Sequence, residues 1–326
     1  MLYPLKFHPI FKDKIWGGKK IQSILKKDFS PLDNCGESWE ISGVPNNGSI
    51  IKNGLLSGQS LNQVIKEFKG QLLGENVYEK FQSDFPLLIK FIDANDDLSI
   101  QVHPDDDLAW ERHQSFGKTE MWYIIQADEN AELIAGFNQK MDKNAYLENF
   151  KNGTLMDVLN KEKVEEGDVF FIPAGRIHTI GKGLLLAEIQ QSSDVTYRIY
   201  DFDRKDKNGN TRELHINEAL DAIDYKFYPQ YKTNYEDKID QPIEIVKSTY
   251  FTTNKLTLNS KIYRDIKSLD SFVIYICLEG EGHIEHEDTR TRIGMGEVLL
   301  MPAELNQYFL IPNDQIKLLE TYITKG

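Results

Sequence analysis

Residues 167–178 read GDVFFIPAGRIH. An apolar strand runs into a Pro-Ala-Gly turn and then presents His178. The turn needs Pro173 and Gly175, because Pro presets φ and Gly tolerates the left-handed region. It does not need the histidine. The chain writes the phrase again at 296–307, as GEVLLMPAELNQ. Both copies carry Gly, an acid, Val, three apolar residues, Pro and Ala in register. The second has Glu304-Leu305-Asn306 where the first approaches His178. Each copy sits near the end of a run of short strands. The predicted fold is therefore mainly β with some helices, as two barrels or sandwiches of one architecture, the first with added helices.

Around these phrases the chain divides into recognisable pieces. Residues 1–57 are rich in Gly, Pro and Asn, with short alternating stretches such as GESWEIS (36–42), which suggests strands and turns. Within 60–82, Leu61, Val64, Ile65, Phe68 and Leu72 recur at helical spacing after Ser60, a capping residue. Residues 86–103 read as two strands joined by a turn at 95–97. A short polar helix is expected over 104–113, where Asp105, Asp106 and Asp107 suit the positive helix end. A strand is expected at 119–125 and a helical stretch at 141–162. Strands dominate from Glu165, followed by a polar loop at 203–212 and a short helix near 217–223. The stretch 229–243 has little pattern and two prolines. It places a boundary at about 235, between domains 1–235 and 236–326.

Composition removes several functional classes. The chain has 326 residues, 40% apolar and 27% charged, which suffices for a buried core. Its net charge is −13, with no Lys/Arg-rich tract, so neither nucleic acid nor an anionic membrane surface is an expected partner. A small anionic substrate stays open, because one or two local cations dominate at short range. Cys35 and Cys277 are the only cysteines and follow no zinc or pairing pattern, which reads as free thiols in a reducing compartment. The start, MLYPLKFHPIFKDKIWGG, has no signal-peptide pattern, and no run of eighteen apolar residues occurs. A soluble, cytoplasmic protein is expected.

Side chains at i and i+2 of a strand share a face. LSIQVHP (98–104) thus places Ser99, Gln101 and His103 together, opposite Ile100 and Val102. Lys118 and Glu120 share a face in GKTEMWY (117–123). A barrel can bring Gln101, His103, Glu120 and His178 to one point. Two imidazoles and a carboxylate suit a divalent zinc ion with positions left open for water or substrate. Taken singly, His103 also reads as a structural histidine and Glu120 as a solvated strand-start acid.

Gly167-x5-Pro173-x-Gly175-x2-His178 resembles the second motif of the cupin superfamily of metal-binding β-barrels. The usual first motif is absent: Gln101-x-His103 stands in its place, and Glu120 comes late. The type I phosphomannose isomerases show that same departure. LSIQVHPDD (98–106), GKTEMWYI (117–124), PAGRIHTIG (173–181), EIQQSSDVTYRIYDFDR (188–204), IWGG (15–18) and GESWEIS all resemble that family, in its short bacterial layout.

The resemblance implies one zinc per chain, held by Gln101, His103, Glu120 and His178. It implies interconversion of mannose 6-phosphate and fructose 6-phosphate by proton transfer through an enediol. It gives Arg198 and Lys118 catalytic roles and associates Ser99 and Lys90 with the substrate or its phosphate. Relatives often have Lys-Pro-Glu where this chain has Lys118-Thr119-Glu120. The C-terminal copy lacks a ligand set and is expected to be structural. The expected partner is a phosphorylated hexose, and the expected assembly a monomer or weak homodimer. The competing readings are a non-enzymatic sugar-phosphate-binding protein with two cupin barrels and an iron-dependent cupin oxygenase.

Overall fold

Residues 2–205 and 209–324 are described in a computed structural model; residues 206–208, part of the polar loop expected at 203–212, lie outside the described residues. The strands that build the first half are, in chain order, β1 (Ile10–Lys12), β2 (Glu37–Ser42), β3 (Leu87–Ala94), β4 (Ile100–Val102), β5 (Glu120–Ala127) and β6 (Glu132–Phe137). They continue as β7 (Leu159–Lys163), β8 (Val169–Ile172), β9 (His178–Ile180), β10 (Leu184–Gln191), β11 (Tyr197–Tyr200) and β12 (Lys232–Thr233). Seven of them form one sheet in the order β12-β8-β5-β10-β3-β2-β1. The other five form a second, in the order β11-β4-β9-β6-β7.

The two sheets face each other. Ile92, Ala94, Trp122, Ile124, Ile172 and Leu186 of the first pack with Leu133, Ala135 and Ile180 of the second in one apolar cluster. Alternate residues of the first sheet, among them Ile89, Phe91, Met121, Tyr123 and Ala187, pack outward. They meet Leu61, Val64 and Ile65 of helix α1 (Leu61–Phe68) and Ile274, Ile276 and Leu319 of the C-terminal part. Both faces of β3 and β10 are thus covered, and every residue in them is buried. That accounts for the nearly continuous apolar runs LLIKFIDA and LLLAEIQQ.

Local signals mostly hold. Ser60 and Gln63 form a capping box at α1. Helix α2 (Asp106–His113) is capped by Asp105, whose carboxylate accepts from the Leu108 N–H at 2.9 Å. The helical stretch expected at 141–162 is corrected. Helix α3 (Lys143–Asn152) stops at Gly153, which adopts φ +71°, and after one further turn the chain enters β7. LNKEK pairs there with β6, Lys161 opposite Ile134 and Lys163 opposite Glu132. Helix α4 (Ile216–Ala222) covers the outer face of the second sheet.

The C-terminal part is also β: β13 (Ile243–Lys247), β14 (Thr252–Leu258), β15 (Ile262–Asp265), β16 (Val273–His286), β17 (Thr289–Gly294), β18 (Val298–Met301) and β19 (Gln307–Tyr322). The long strands β16 and β19 pair along most of their length, with register shifts near Leu278 and Glu281. Those irregularities bend the strands so that each reaches both ends of the unit. Inside lie Val273, Tyr275, Ile293, Leu299 and Leu318. A polar group is also buried there. Arg264 pairs with Glu320, which also accepts from Tyr275 at 3.2 Å, and Tyr275 meets Tyr308 at 2.8 Å. Among the described residues no helix is long and apolar enough to cross a membrane.

Candidate metal centre and cavity

His103 follows β4, Glu120 opens β5 and His178 opens β9. Pairing sets His178 opposite Gln101, and Arg198 of β11 opposite Gln101 on its other side. The ligand atoms of His103, Glu120 and His178 all lie within 4.8 Å of one another, and the three side chains are buried. His103 Nε2 is 3.5 Å from one Glu120 oxygen and His178 Nε2 is 3.4 Å from the other. The Gln101 amide lies against the same group, its nitrogen 3.2 Å from His178 Nε2. All four side chains singled out in the sequence therefore meet. Among the described residues no second group of this kind occurs.

The imidazoles are oriented from behind. His103 Nδ1 lies 3.0 Å from the Val195 carbonyl and His178 Nδ1 lies 2.8 Å from the Arg176 carbonyl. A carbonyl only accepts, so each Nδ1 carries the proton and each Nε2 turns a lone pair inward. Burial, with the Lys118 charge nearby, holds both rings neutral; it brings His178 down to about 3. Burial raises the Glu120 carboxyl, against the pull of Lys118. One Glu120 oxygen is buried without a hydrogen-bond partner. Two inward lone pairs beside an orphaned carboxylate oxygen form a donor set that fits a divalent cation.

A cavity of about 310 Å³ opens beside this group. Lys14, Lys90, Lys118, Arg198 and Arg212 line it against the acids Glu37, Glu188 and Asp194, with Ser99, Gln101 and Trp16. Five cations over three acids make it locally basic in a chain of net charge −13. Lys118 is buried, pairs with Glu120 and reaches His103 Nε2 at 2.9 Å. Ser99 is buried 3.5 Å from Gln101. A larger cleft of about 700 Å³ lies between the N-terminal strands and the 280–298 region. Its four cations (Lys26, Lys27, Lys52, Arg292) match four acids (Asp28, Glu40, Glu281, Glu297), and no ligand group lines it.

Residues 4–137 match the family model of the phosphomannose isomerase type I catalytic domain, and residues 242–315 that of the mannose-6-phosphate isomerase cupin domain. A mannose-6-phosphate isomerase of Streptococcus mutans is 36% identical over 310 residues, covering 94% of this chain and 95% of the relative. The chain belongs to the type I phosphomannose isomerase family. A crystal structure of the mannose 6-phosphate isomerase from Bacillus subtilis superposes with a TM-score of 0.86 at 32% identity, covering 98% of this chain and 99% of that one. A more distant mannose 6-phosphate isomerase, 16% identical with a TM-score of 0.77, shares the fold over 99% of this chain and all of its own; it was solved with zinc and yttrium bound.

In this phosphomannose isomerase family member the cavity also holds residues that sequence reasoning passed over. Glu188 is buried, accepts from Lys90 at 2.8 Å and takes the Trp122 indole N–H at 3.0 Å. Burial raises its pKa, but Lys90 and Lys118 outweigh that and hold the carboxyl low. Trp122 in turn packs edge-on against the His178 ring, 5.3 Å between centroids. Lys90 is buried, and Gln190 accepts its second hydrogen bond at 2.6 Å. The signal was present, since an acid in LLLAEIQQ and a lysine in LLIKFIDA each break an apolar run. Arg198 does not pair with Asp201 or Asp203. Its Nη1 donates to the Glu213 carbonyl at 2.8 Å, and Asp201 is held by Arg204 and Arg212.

Proposed function

We propose that this chain interconverts mannose 6-phosphate and fructose 6-phosphate as a zinc-dependent aldose–ketose isomerase working through an enediol. The observation that carries the reading is a buried His103–Glu120–His178 group, with Gln101 against it, at one end of a locally basic cavity in a member of this family. Gln101, His103, Glu120 and His178 would hold one zinc, a half-turn of the Gln101 amide presenting its oxygen. Zinc, when bound, supplies Lewis acidity and a template for adjacent sugar oxygens.

The remaining roles belong to the chain. Isomerisation moves a proton between C2 and C1 while negative charge grows on oxygen. Arg198 keeps its own proton and stabilises that charge. Lys118 stands between the ligand group and the cavity and is the residue proposed to handle the proton. Ser99 and Lys90 line the same cavity and are proposed to contact the substrate. Lys90 and Arg198 come from strands, and Ser99 and Lys118 from residues just before strands, which keeps them near the geometry that substrate requires.

The same proposal takes the chain as two cupin-type barrels with a boundary near 235. The repeated phrase supports it: Val169–Ile172 and Val298–Met301 are both strands that run into the Pro-Ala turn. The second unit is proposed to be structural and without metal. Two buried free thiols, Cys35 and Cys277, accord with a cytoplasmic protein, taken here to act as a monomer or weak homodimer.

A coupled assay decides the matter. Mannose 6-phosphate is supplied and fructose 6-phosphate followed, before and after chelation. Turnover that stops on metal removal and returns with zinc supports the proposal; turnover that survives complete removal overturns it. Binding without turnover would leave a sugar-phosphate-binding protein, and oxygen consumption with iron a cupin oxygenase.

A further inference from the structure

The cations of the cavity differ in how far they are already used. Lys14 pairs with Glu37 at 3.0 Å, Lys90 with Glu188 and Gln190, and Lys118 with Glu120 and His103. At the opposite rim the balance changes. Arg198 shares the cavity wall with Arg212, and Arg204 and Arg212 gather around one carboxylate, Asp201. Arg204 Nη2 donates to it at 2.7 Å, and Arg212 engages it through Nε, at 2.7 Å, and Nη2. Arg204 is also tied to the Asp97 carbonyl and lies 3.8 Å from the half-exposed Asp96 carboxylate. Among the described residues the Arg198 side chain donates only from Nη1, and its buried Nε has no partner there. Arg198 and Arg212 line the cavity at this end, whereas Asp201, which Arg212 engages, does not.

The fork of Arg212 is half used. One edge, Nε and Nη2, is spent on Asp201, which fixes the plane of the group. Its Nη1 has no partner among the described residues. A braced guanidinium with a spare edge fits a dianionic phosphate. We infer that Arg212 receives the substrate's phosphate, in place of Lys90, whose charge Glu188 cancels, and that Arg198, set opposite Gln101, is left to the reacting end. This rests on the isomerase reading and adds an orientation to it. Gln101 is Arg198's neighbour in register, so the phosphate end points to the rim and the reacting carbons to the histidines.

The test uses the full chain and its Arg212→Gln variant. Mannose 6-phosphate kinetics, inhibition by inorganic phosphate and calorimetric binding of both compounds are measured, with melting temperature as the check on folding. The expected result is a rise in KM and a weakening of phosphate binding by about 10- to 100-fold, the loss of one charge-assisted contact, with kcat changed far less. Unchanged KM and phosphate affinity in a variant of normal melting temperature overturn the inference. Arg212→Lys keeps a charge but loses the fork, and serves if the Gln variant does not fold. A several-fold weaker phosphate affinity supports the assignment, and unchanged affinity overturns it. Should wild type bind mannose 6-phosphate without turnover, the isomerase reading fails while the calorimetric comparison still decides the role of Arg212.

Discussion

The backbone N–H of Gly175 donates to the carbonyl of His103 at 2.9 Å. The turn that delivers one imidazole of the candidate centre is thereby fastened to the residue that carries the other. The Gly175 carbonyl accepts from the Asp224 N–H at 2.7 Å on its far side. Glycine is required here for two reasons. Its φ is +88°, and a Cβ would come within 2.9 Å of the Ala222 carbonyl oxygen. Gly175→Ala is expected to cost about 1–2 kcal/mol from the left-handed backbone alone. Because the turn positions His178, zinc affinity should fall as well. Denaturant unfolding and competition with a chromophoric chelator measure the two effects; a stability loss with unaltered zinc affinity would separate the turn from the centre.

The ligand group makes a sharper claim on metal content. His103→Ala and His178→Ala should each purify with most of the zinc missing, since each removes one of two buried imidazoles. His283→Ala, on the hairpin of β16 and β17, should retain it. Metal analysis of the three variants checks this, and equal loss in all three would mean the centre lies elsewhere.

The buried pair of Lys90 and Glu188 couples the cavity to stability. Glu188→Gln leaves the buried Lys90 ammonium without its counter-charge and should destabilise by about 3–5 kcal/mol. Replacing both residues by Met should cost less than either single change, because no charge is left unpaired. The pH dependence follows from the folded carboxyl being held at about 2. Its contribution is full above the unfolded range of about 4.3 and is lost as pH falls toward the folded value. The Gln variant should therefore show a flatter acid-unfolding profile below about pH 4; parallel profiles for variant and wild type would remove Glu188 from the account.

The C-terminal unit should answer to stability and not to chemistry. Glu320→Gln weakens the partner of Arg264 in its interior and should destabilise by about 3–5 kcal/mol. Below its melting temperature the variant should bind one zinc and turn over as wild type does. A drop in kcat in the folded variant would contradict a purely structural role.

Much of the centre was legible because strands alternate strictly. Once LSIQVHP is a strand, Gln101 and His103 must share a face, and the Pro-Ala-Gly turn marks where His178 leaves its own. The pairing of Lys90 with Glu188 was not legible, although each charge stood out in an apolar run. They sit 98 residues apart, and only the register of β3 against β10 sets them opposite. Arg212 was missed for a different reason: it ends a polar loop with no periodicity to assign it a face. The helix expected to run to 162 failed because the apolar spacing of 155–159 suits a short turn followed by a strand as well as it suits a helix.

Local order, then, came from the chain itself. Alternating side chains, a proline and glycine at the end of an apolar strand, and capping residues act over a few positions, and their physics is written in consecutive residues. Which histidine faces which carboxylate, which lysine is neutralised and which arginine keeps a free edge were decided by packing. Those relations depend on strand order and on the loss of water between two facing sheets, and neither is a property of any short stretch.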